Sequence, residues 1–384
     1  MTKSYLIGGS TGSSAVSAHF IALARELQQR GHQVAMITDT PEVNSMTAGF
    51  EGLVYKWPSP RPGRLRDARF LFSILSRCKP DCVMASFGAV NLFALAHWMH
   101  HVPVRIVWYH TLDAQTDLDT SLPRWRIRLL RLRKSFVYSQ ATHIFTNSHA
   151  ASTDAYQTYG VPLSKCSVQT LSLANPMGHF TRNASGNQPS KITCVGRFSP
   201  SKGQAVLIRA LAKLPSGLDW QAVLIGDGPT RPAVERLAEE LGIARRCRFL
   251  GNCPHDGVLA EMISAAINVV PSLAEAFGFV AIESMALGLP MVASKTGGLA
   301  ETIRDSIDGF LVPPGDAAAI AQKMGILLTD PELCQCMGAH GRERFLSEFE
   351  RARVIPQQAE WLEKIAGAKA MRRDQEQPLP AETL

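Results

Sequence analysis

KITCVGRFSPSKG, Lys191–Gly203, runs a short apolar strand into a glycine turn and on toward a helix. The same alternation continues on both sides. Downstream, Trp220–Ile225, Arg246–Leu250, Ile267–Val270, Met291–Ala293 and Phe310–Val312 read as strands separated by helical stretches. Upstream, Ser4–Ile7, Gln33–Thr38, Cys82–Ser86, Val104–Tyr109 and His143–Asn147 read as strands. Ala15–Arg30, Arg64–Cys78, Ala89–His100, Leu122–Ser139 and Ser148–Tyr159 read as helices. In the first of these, Phe20, Leu23, Ala24 and Leu27 recur at helical spacing, and Gly31 stops it. Strands alternating with helices imply parallel βαβ units with right-handed crossovers, an α/β fold class. The pattern lapses over Asn175–Ser190, where Asn, Gly, Pro and Ser favour turns. Two α/β domains are therefore expected, over 1–180 and 190–350, followed by a helical segment at 351–366 and a loose tail at 367–384.

Composition sets the outer bounds. Of 384 residues, 46% are hydrophobic and 19% charged, which excludes global disorder. The net charge of +7 is mildly basic. No apolar run reaches the ~18 residues of a membrane span, and Met1–Ser10 lacks the apolar stretch of a secretory signal. The eight cysteines form no C-x-x-C pair, so reduced thiols and a cytoplasmic location are expected.

The chemistry concentrates in the second half. Gly196 allows close backbone approach, and Arg197 and Lys202 place two cations ahead of a helix whose free N–H groups also favour anions, a combination suited to a diphosphate. Gly226-Asp227-Gly228-Pro229 follows the next strand. EAFGFVAIE then sets Glu275 in a loop and Glu283 about one turn into a helix, so both carboxylates can face one crevice. Glu283 is placed for a ribose diol and Glu275 for sugar hydroxyls, and the backbone N–H groups around Phe277, Gly278 and Phe279 for phosphate oxygens. Gly297-Gly298 with Glu301 adds a further glycine loop. Taken singly, an Arg–Lys pair is a solvated surface feature and a GDGP stretch is a simple turn. Their ordered succession reverses that reading.

This succession, completed by Leu311-Val312-Pro313-Pro314-Gly315-Asp316, resembles family 4 of the retaining glycosyltransferases. The resemblance implies the GT-B architecture: two Rossmann-like domains facing across a cleft, with a C-terminal helix crossing back to the N-terminal domain. It implies an acceptor-binding first domain and a nucleotide-sugar-binding second one. Arg197 and Lys202 would hold the donor diphosphate, Glu283 the ribose and Glu275 the transferred sugar. His110, in VWYHTLD, matches a recurring histidine near the reaction centre, against the alternative of a core histidine with no part in rate. Gly12 and Ser13 stand in the glycine-rich entry of the first domain, which is longer than the family's usual pair, and are assigned to donor phosphate contacts. The implied partners are a nucleotide-sugar donor (UDP or GDP) and a carbohydrate or lipid-linked acceptor. No cofactor and no metal are expected, because Arg and Lys supply the positive charge. Asp117-Leu118-Asp119 mimics a metal-binding D-x-D but reads as part of an ordinary loop.

PRWRIRLLRLRKSFVYS, Pro123–Ser139, is the strongest basic segment. A basic amphipathic helix fits peripheral contact with an anionic membrane surface or with a lipid-phosphate acceptor. A solvated face whose leucines pack in the core fits equally well. Nucleic acid is not expected, since no recognition motif accompanies the basic run. Two further readings stand beside the transferase: a non-catalytic nucleotide-sugar-binding subunit and, from GGSTGS at Gly8, a dinucleotide-dependent oxidoreductase. The second lacks the G-x-G-x-x-G order.

Overall fold

A computed structural model of the chain describes residues 2–9, 15–39, 50–60, 62–178 and 189–375. The first lobe holds seven strands: β1 (Ser4–Gly8), β2 (Gln33–Thr38), β3 (Leu53–Lys56), β4 (Cys82–Ala85), β5 (Val104–Tyr109), β6 (His143–Thr146) and β7 (Cys166–Val168). They form one sheet in the order β3-β2-β1-β4-β5-β6-β7, every pair parallel. The second lobe holds six: β8 (Ser190–Val195), β9 (Trp220–Ile225), β10 (Cys247–Gly251), β11 (Ile267–Val270), β12 (Met291–Ser294) and β13 (Phe310–Val312). These pair in parallel in the order β10-β9-β8-β11-β12-β13. Helices cover both faces of the central strands, so all four residues of β11 and of β12 are buried, the polar Asn268 and Ser294 included. In each sheet the strand order reverses once, between β1 and β4 and between β8 and β11. Ligands of doubly wound sheets bind at the crevice such a reversal opens.

The last helix, Arg351–Gln375, leaves the second lobe and packs on the first-lobe helix Ala15–Gln29. Ile355, Ala359 and Leu362 share a buried cluster with Phe20, Leu23, Trp108 and Phe145. Trp361 meets Phe145 edge-on at 4.8 Å, and Glu363 pairs with His32 (2.8 Å) and Arg30 (3.1 Å). The helix runs past Ala366, where a loose tail was expected. Gly367–Gln375 contains no proline and is rich in good helix formers, so nothing stops propagation. The chain passes between lobes twice, and the two passages touch. Leu173 N–H donates to the Phe349 carbonyl (3.1 Å), Arg351 N–H donates to the Leu173 carbonyl (2.9 Å), and Asn175 Nδ2 donates to Glu350 Oε1 (3.0 Å).

Other departures from the sequence reading are local. Ala89–His100 is broken into a tight turn (Phe87–Ala89) and two short helices (Val90–Ala94, Ala96–His100), which leaves Ala96 buried and Trp98 exposed. Asp113–Asp119 is a helix, not a loop.

Candidate active site

The turn Pro200–Lys202 follows β8 and ends at Gly203, whose backbone is left-handed (φ 67°). A Cβ at Gly203 would lie 2.1 Å from the Pro271 carbonyl oxygen, so only glycine lets this turn press against the loop after β11. Leu273 N–H donates to the Ser201 carbonyl across the contact (2.7 Å). The contact brings Lys202 onto Glu275: Lys202 Nζ bonds Glu275 Oε2, and Ser272 Oγ donates to the same oxygen (3.3 Å). The Glu275 backbone is held from behind, where its carbonyl accepts from Gly298 N–H (2.9 Å).

The helix Phe279–Ala286 starts beside this pair. Gly278, Phe279 and Val280 line the cavity described below, so the start of this helix, where N–H groups have no partner within the helix, lies at its wall. A buried polar chain sets the helix's aim. Thr193 Oγ1 on β8 donates to Asn268 Oδ1 on β11 (3.1 Å), Asn268 Nδ2 donates to Ser284 Oγ (2.8 Å), and Ser284 Oγ donates to the Val280 carbonyl (2.8 Å).

The first lobe supplies a different wall. His110 follows β5, stacked on Trp108 (centroids 5.6 Å, planes 4° apart) and on Phe87 (4.7 Å, 18°). Burial pushes its pKa down to about 3, so the ring is neutral. Its tautomer follows from its neighbours. Trp108 Nε1 donates to Asn147 Oδ1 (2.6 Å), which leaves Asn147 Nδ2 to donate to His110 Nδ1 (3.4 Å). The imidazole proton therefore sits on Nε2, which is buried and has no partner among the described residues. That N–H is a neutral, buried donor on a residue that lines the cavity.

The two walls enclose a cavity of about 210 Å³ at the meeting of the two strand-order reversals. Val16, Phe87, His110 and Asn147 line it from the first lobe; Gly196, Lys202, Gln204, Glu275, Phe277, Gly278 and Phe279 line it from the second. The structure thus brings together His110, Lys202, Glu275, Gly196 and the Phe277–Phe279 backbone. It does not bring Arg197 into the lining. That side chain is exposed, with no carboxylate within ion-pair distance among the described residues, while its carbonyl accepts from Gln204 Nε2 (2.9 Å). Glu283 is buried one turn into its helix, but on the flank where it accepts from His255 Nε2 (2.8 Å). That bond raises the His255 pKa, with burial opposing it.

Gly226, Asp227 and Gly228 also lie outside the lining. A Cβ at Gly226 would stand 2.1 Å from the Gly196 carbonyl oxygen, and one at Gly228 would stand 2.3 Å from that of Phe198. Phe198 N–H donates to the Asp227 carbonyl (3.0 Å), and the Asp227 carboxylate takes Gly228 N–H (2.7 Å) and stands 3.6 Å from Arg231. In this structure the GDGP turn buttresses the cationic loop. Gly12 and Ser13 lie outside the described residues.

Two carboxylates close the lobes against each other, in roles the sequence reading did not assign. Asp119 accepts from Ser201 N–H (2.9 Å), Ser201 Oγ (2.8 Å) and Ser199 Oγ (3.1 Å), gripping the turn that carries Lys202. Glu301 accepts from His149 N–H and Ala150 N–H (both 2.7 Å), capping the first-lobe helix His149–Tyr159. Both carboxylates of Asp117-Leu118-Asp119 are therefore committed, since Asp117 pairs with Arg131 (2.7 Å). Asn147 and Asn268 were also missed. An isolated Asn carries no signal until its partners on other strands are known.

Twin Rossmann-like lobes facing across a cleft define the GT-B architecture. The comparisons with known proteins agree. Residues 179–344 match glycosyl transferases group 1, and residues 16–169 match glycosyltransferase family 4. The chain belongs to this enzyme family. The D-inositol 3-phosphate glycosyltransferase of Salinispora tropica is 38% identical over 174 residues, 43% of this chain but only 36% of that relative's length. Its namesake in Corynebacterium jeikeium is 28% identical over 330 residues, 78% of this chain and 76% of the relative. An Anabaena protein crystallised with UDP and glucose superposes with a TM-score of 0.75 at 20% identity, over 94% of this chain and 99% of that one.

Proposed function

We propose that the protein transfers a sugar from a UDP- or GDP-linked donor to a hydroxyl acceptor, with retention at C1. The observation that carries the reading is the cavity itself. One wall holds a cation and the start of a helix; the opposite wall holds neutral His110, whose Nε2–H has no partner among the described residues. The first suits a diphosphate that gains charge as it leaves, and the second suits an uncharged sugar hydroxyl. The Anabaena protein's UDP and glucose support the same donor class.

In this reading the donor's C1–O bond breaks and its electron pair passes to the diphosphate. The acceptor hydroxyl attacks from the same face, and its proton goes to the departing phosphate. Lys202 exchanges Glu275 for a phosphate oxygen, which frees Glu275 for sugar hydroxyls. Arg197, unpaired beside Gly196, reaches the diphosphate from the rim, and Glu283 exchanges His255 for the ribose diol. The protein's own cations balance the leaving group, so transfer proceeds without a resident metal. Polysaccharide, lipopolysaccharide or glycolipid assembly is the proposed setting.

Mass-spectrometric screening of nucleotide sugars, with and without EDTA, tests this. Hydrolysis or transfer of one donor is expected, undiminished by the chelator. If no UDP- or GDP-sugar is consumed and neither nucleotide raises the melting temperature, the assignment fails. Donor binding without transfer to any acceptor would instead identify a non-catalytic subunit.

A further inference from the structure

The basic segment forms one helix, Arg124–Gln140, without a single Asp or Glu. Only one face is packed. Val137 and Tyr138 are buried, Tyr138 meets Tyr159 edge-on (5.3 Å), and Arg131 bonds Asp113 and Asp117. The leucines expected to pack in the core are divided. Leu130 is half-buried, but Leu129 and Leu132 are 57% and 67% exposed, together with Trp125 (58%) and Phe136 (57%). At about 100° per residue these four exposed side chains fall within an arc of roughly 60°. Successive turns of the helix therefore carry one continuous apolar stripe facing solvent. Trp98, 71% exposed, joins its end, with its indole N–H donating to Gln140 Oε1 (2.9 Å).

Cations border the stripe on both sides, Arg124 and Arg128 on one and Arg126 and Arg133 on the other. None has an acidic partner among the described residues. Arg124 and Arg128 also line a groove of about 330 Å³ beside the helix Asp113–Asp119. An apolar ridge between two rows of unpaired guanidinium groups matches the boundary between acyl chains and anionic headgroups. A second copy of the chain would set arginine rows against arginine rows.

We infer that the helix Arg124–Gln140 lies in the plane of an anionic lipid surface, with Trp125, Leu129, Leu132 and Phe136 inserted and the flanking arginines on lipid phosphates. This surface is independent of the donor-site reading, because vesicle binding needs no nucleotide sugar. Arg131 ties the helix to Asp113–Asp119, and Asp119 grips the turn bearing Lys202, so a docked protein holds its cleft at a fixed height above the lipid.

Vesicle flotation of the full chain tests it, using phosphatidylcholine with and without phosphatidylglycerol. The protein is expected to float with anionic vesicles, to stay behind with neutral ones, and to release as salt rises. Leu129→Ser with Leu132→Ser removes exposed side chains only. It is expected to weaken flotation tenfold or more while leaving the far-UV spectrum and donor hydrolysis unchanged. The triple variant Arg124→Gln, Arg128→Gln, Arg133→Gln is expected to lose the preference for anionic lipid. Absence of flotation with anionic vesicles overturns the inference, as does equal flotation of the Leu129/Leu132 variant. So does a solution dimer of the parent that this variant dissociates.

Discussion

The two lobes repeat one strand order and present opposite chemistry at the same topological place. Beyond β8 and β11 stand Lys202, Glu275 and an open helix N-terminus. Beyond β1 and β4 stand Phe87 and, from the end of β5, a neutral His110. The fold supplies a crevice twice; the loops decide what each crevice handles. One lobe answers charge, and the other answers shape and a single uncharged hydrogen bond.

The division is open to direct attack. Lys202→Ala removes the cation from the wall and is expected to lower kcat/KM by about 10²–10³-fold, mostly in kcat. An unchanged rate would move the charge-handling group elsewhere, with Arg197 the first suspect. His110→Phe keeps the stack on Trp108 and Phe87 but removes the Nε2 donor. Transfer is expected to slow ~10- to 100-fold, while the affinity for free UDP or GDP, measured by calorimetry, stays near that of the parent. Loss of nucleotide affinity in this variant would erase the contrast between the lobes.

Acidity separates them further. His19 and His110 lie buried and neutral in the first lobe, each with its pKa depressed to about 3. Unfolded, each takes a proton near pH 6.5; folded, neither does until about pH 3. Between those values the unfolded chain binds more protons, so stability falls as pH drops, by about 1 kcal/mol per pH unit per histidine. Urea melts across this window are expected to show a shallower slope for His110→Phe. His255 has the opposite sign. Its raised pKa gives stability that is present below the unfolded value and is lost as pH rises through the folded one. The smallest effect expected is that of Glu301→Gln, which weakens the cap on His149–Tyr159 by about 1 kcal/mol. Small-angle scattering of this variant without ligand should show a wider cleft; an unchanged profile would remove Glu301 from closure.

What could be read in advance followed burial. The central strands announced themselves because both faces are covered and most of their residues are apolar. The edge strands β3 and β7 did not. Their residues are half-buried or exposed, and Leu53–Lys56 and Cys166–Val168 are too short for a periodic signal. The helix Asp113–Asp119 buries only Asp113 and Gln115, so its sequence carries no apolar face. Its order depends on Arg131 and on serines from the other lobe. Lys202, Glu275 and His110 could be singled out because each follows a recognisable strand, and the structure sets all three around one cavity. Gly226 and Gly228 were legible as necessary glycines, and the structure sets each against a neighbouring carbonyl, a close approach that leaves the same mark in sequence as close approach to a ligand. The duties of Asp119 and Glu301 were invisible, because each is defined by a backbone across the cleft.

The twin passages at Leu173–Asn175 and Phe349–Arg351, stitched by backbone hydrogen bonds, act as the spine of a book. A spine bound along one line permits its covers to swing and forbids them to slide. On the proposed function, loading and discharge would then be one angular stroke, with registry between the pages kept.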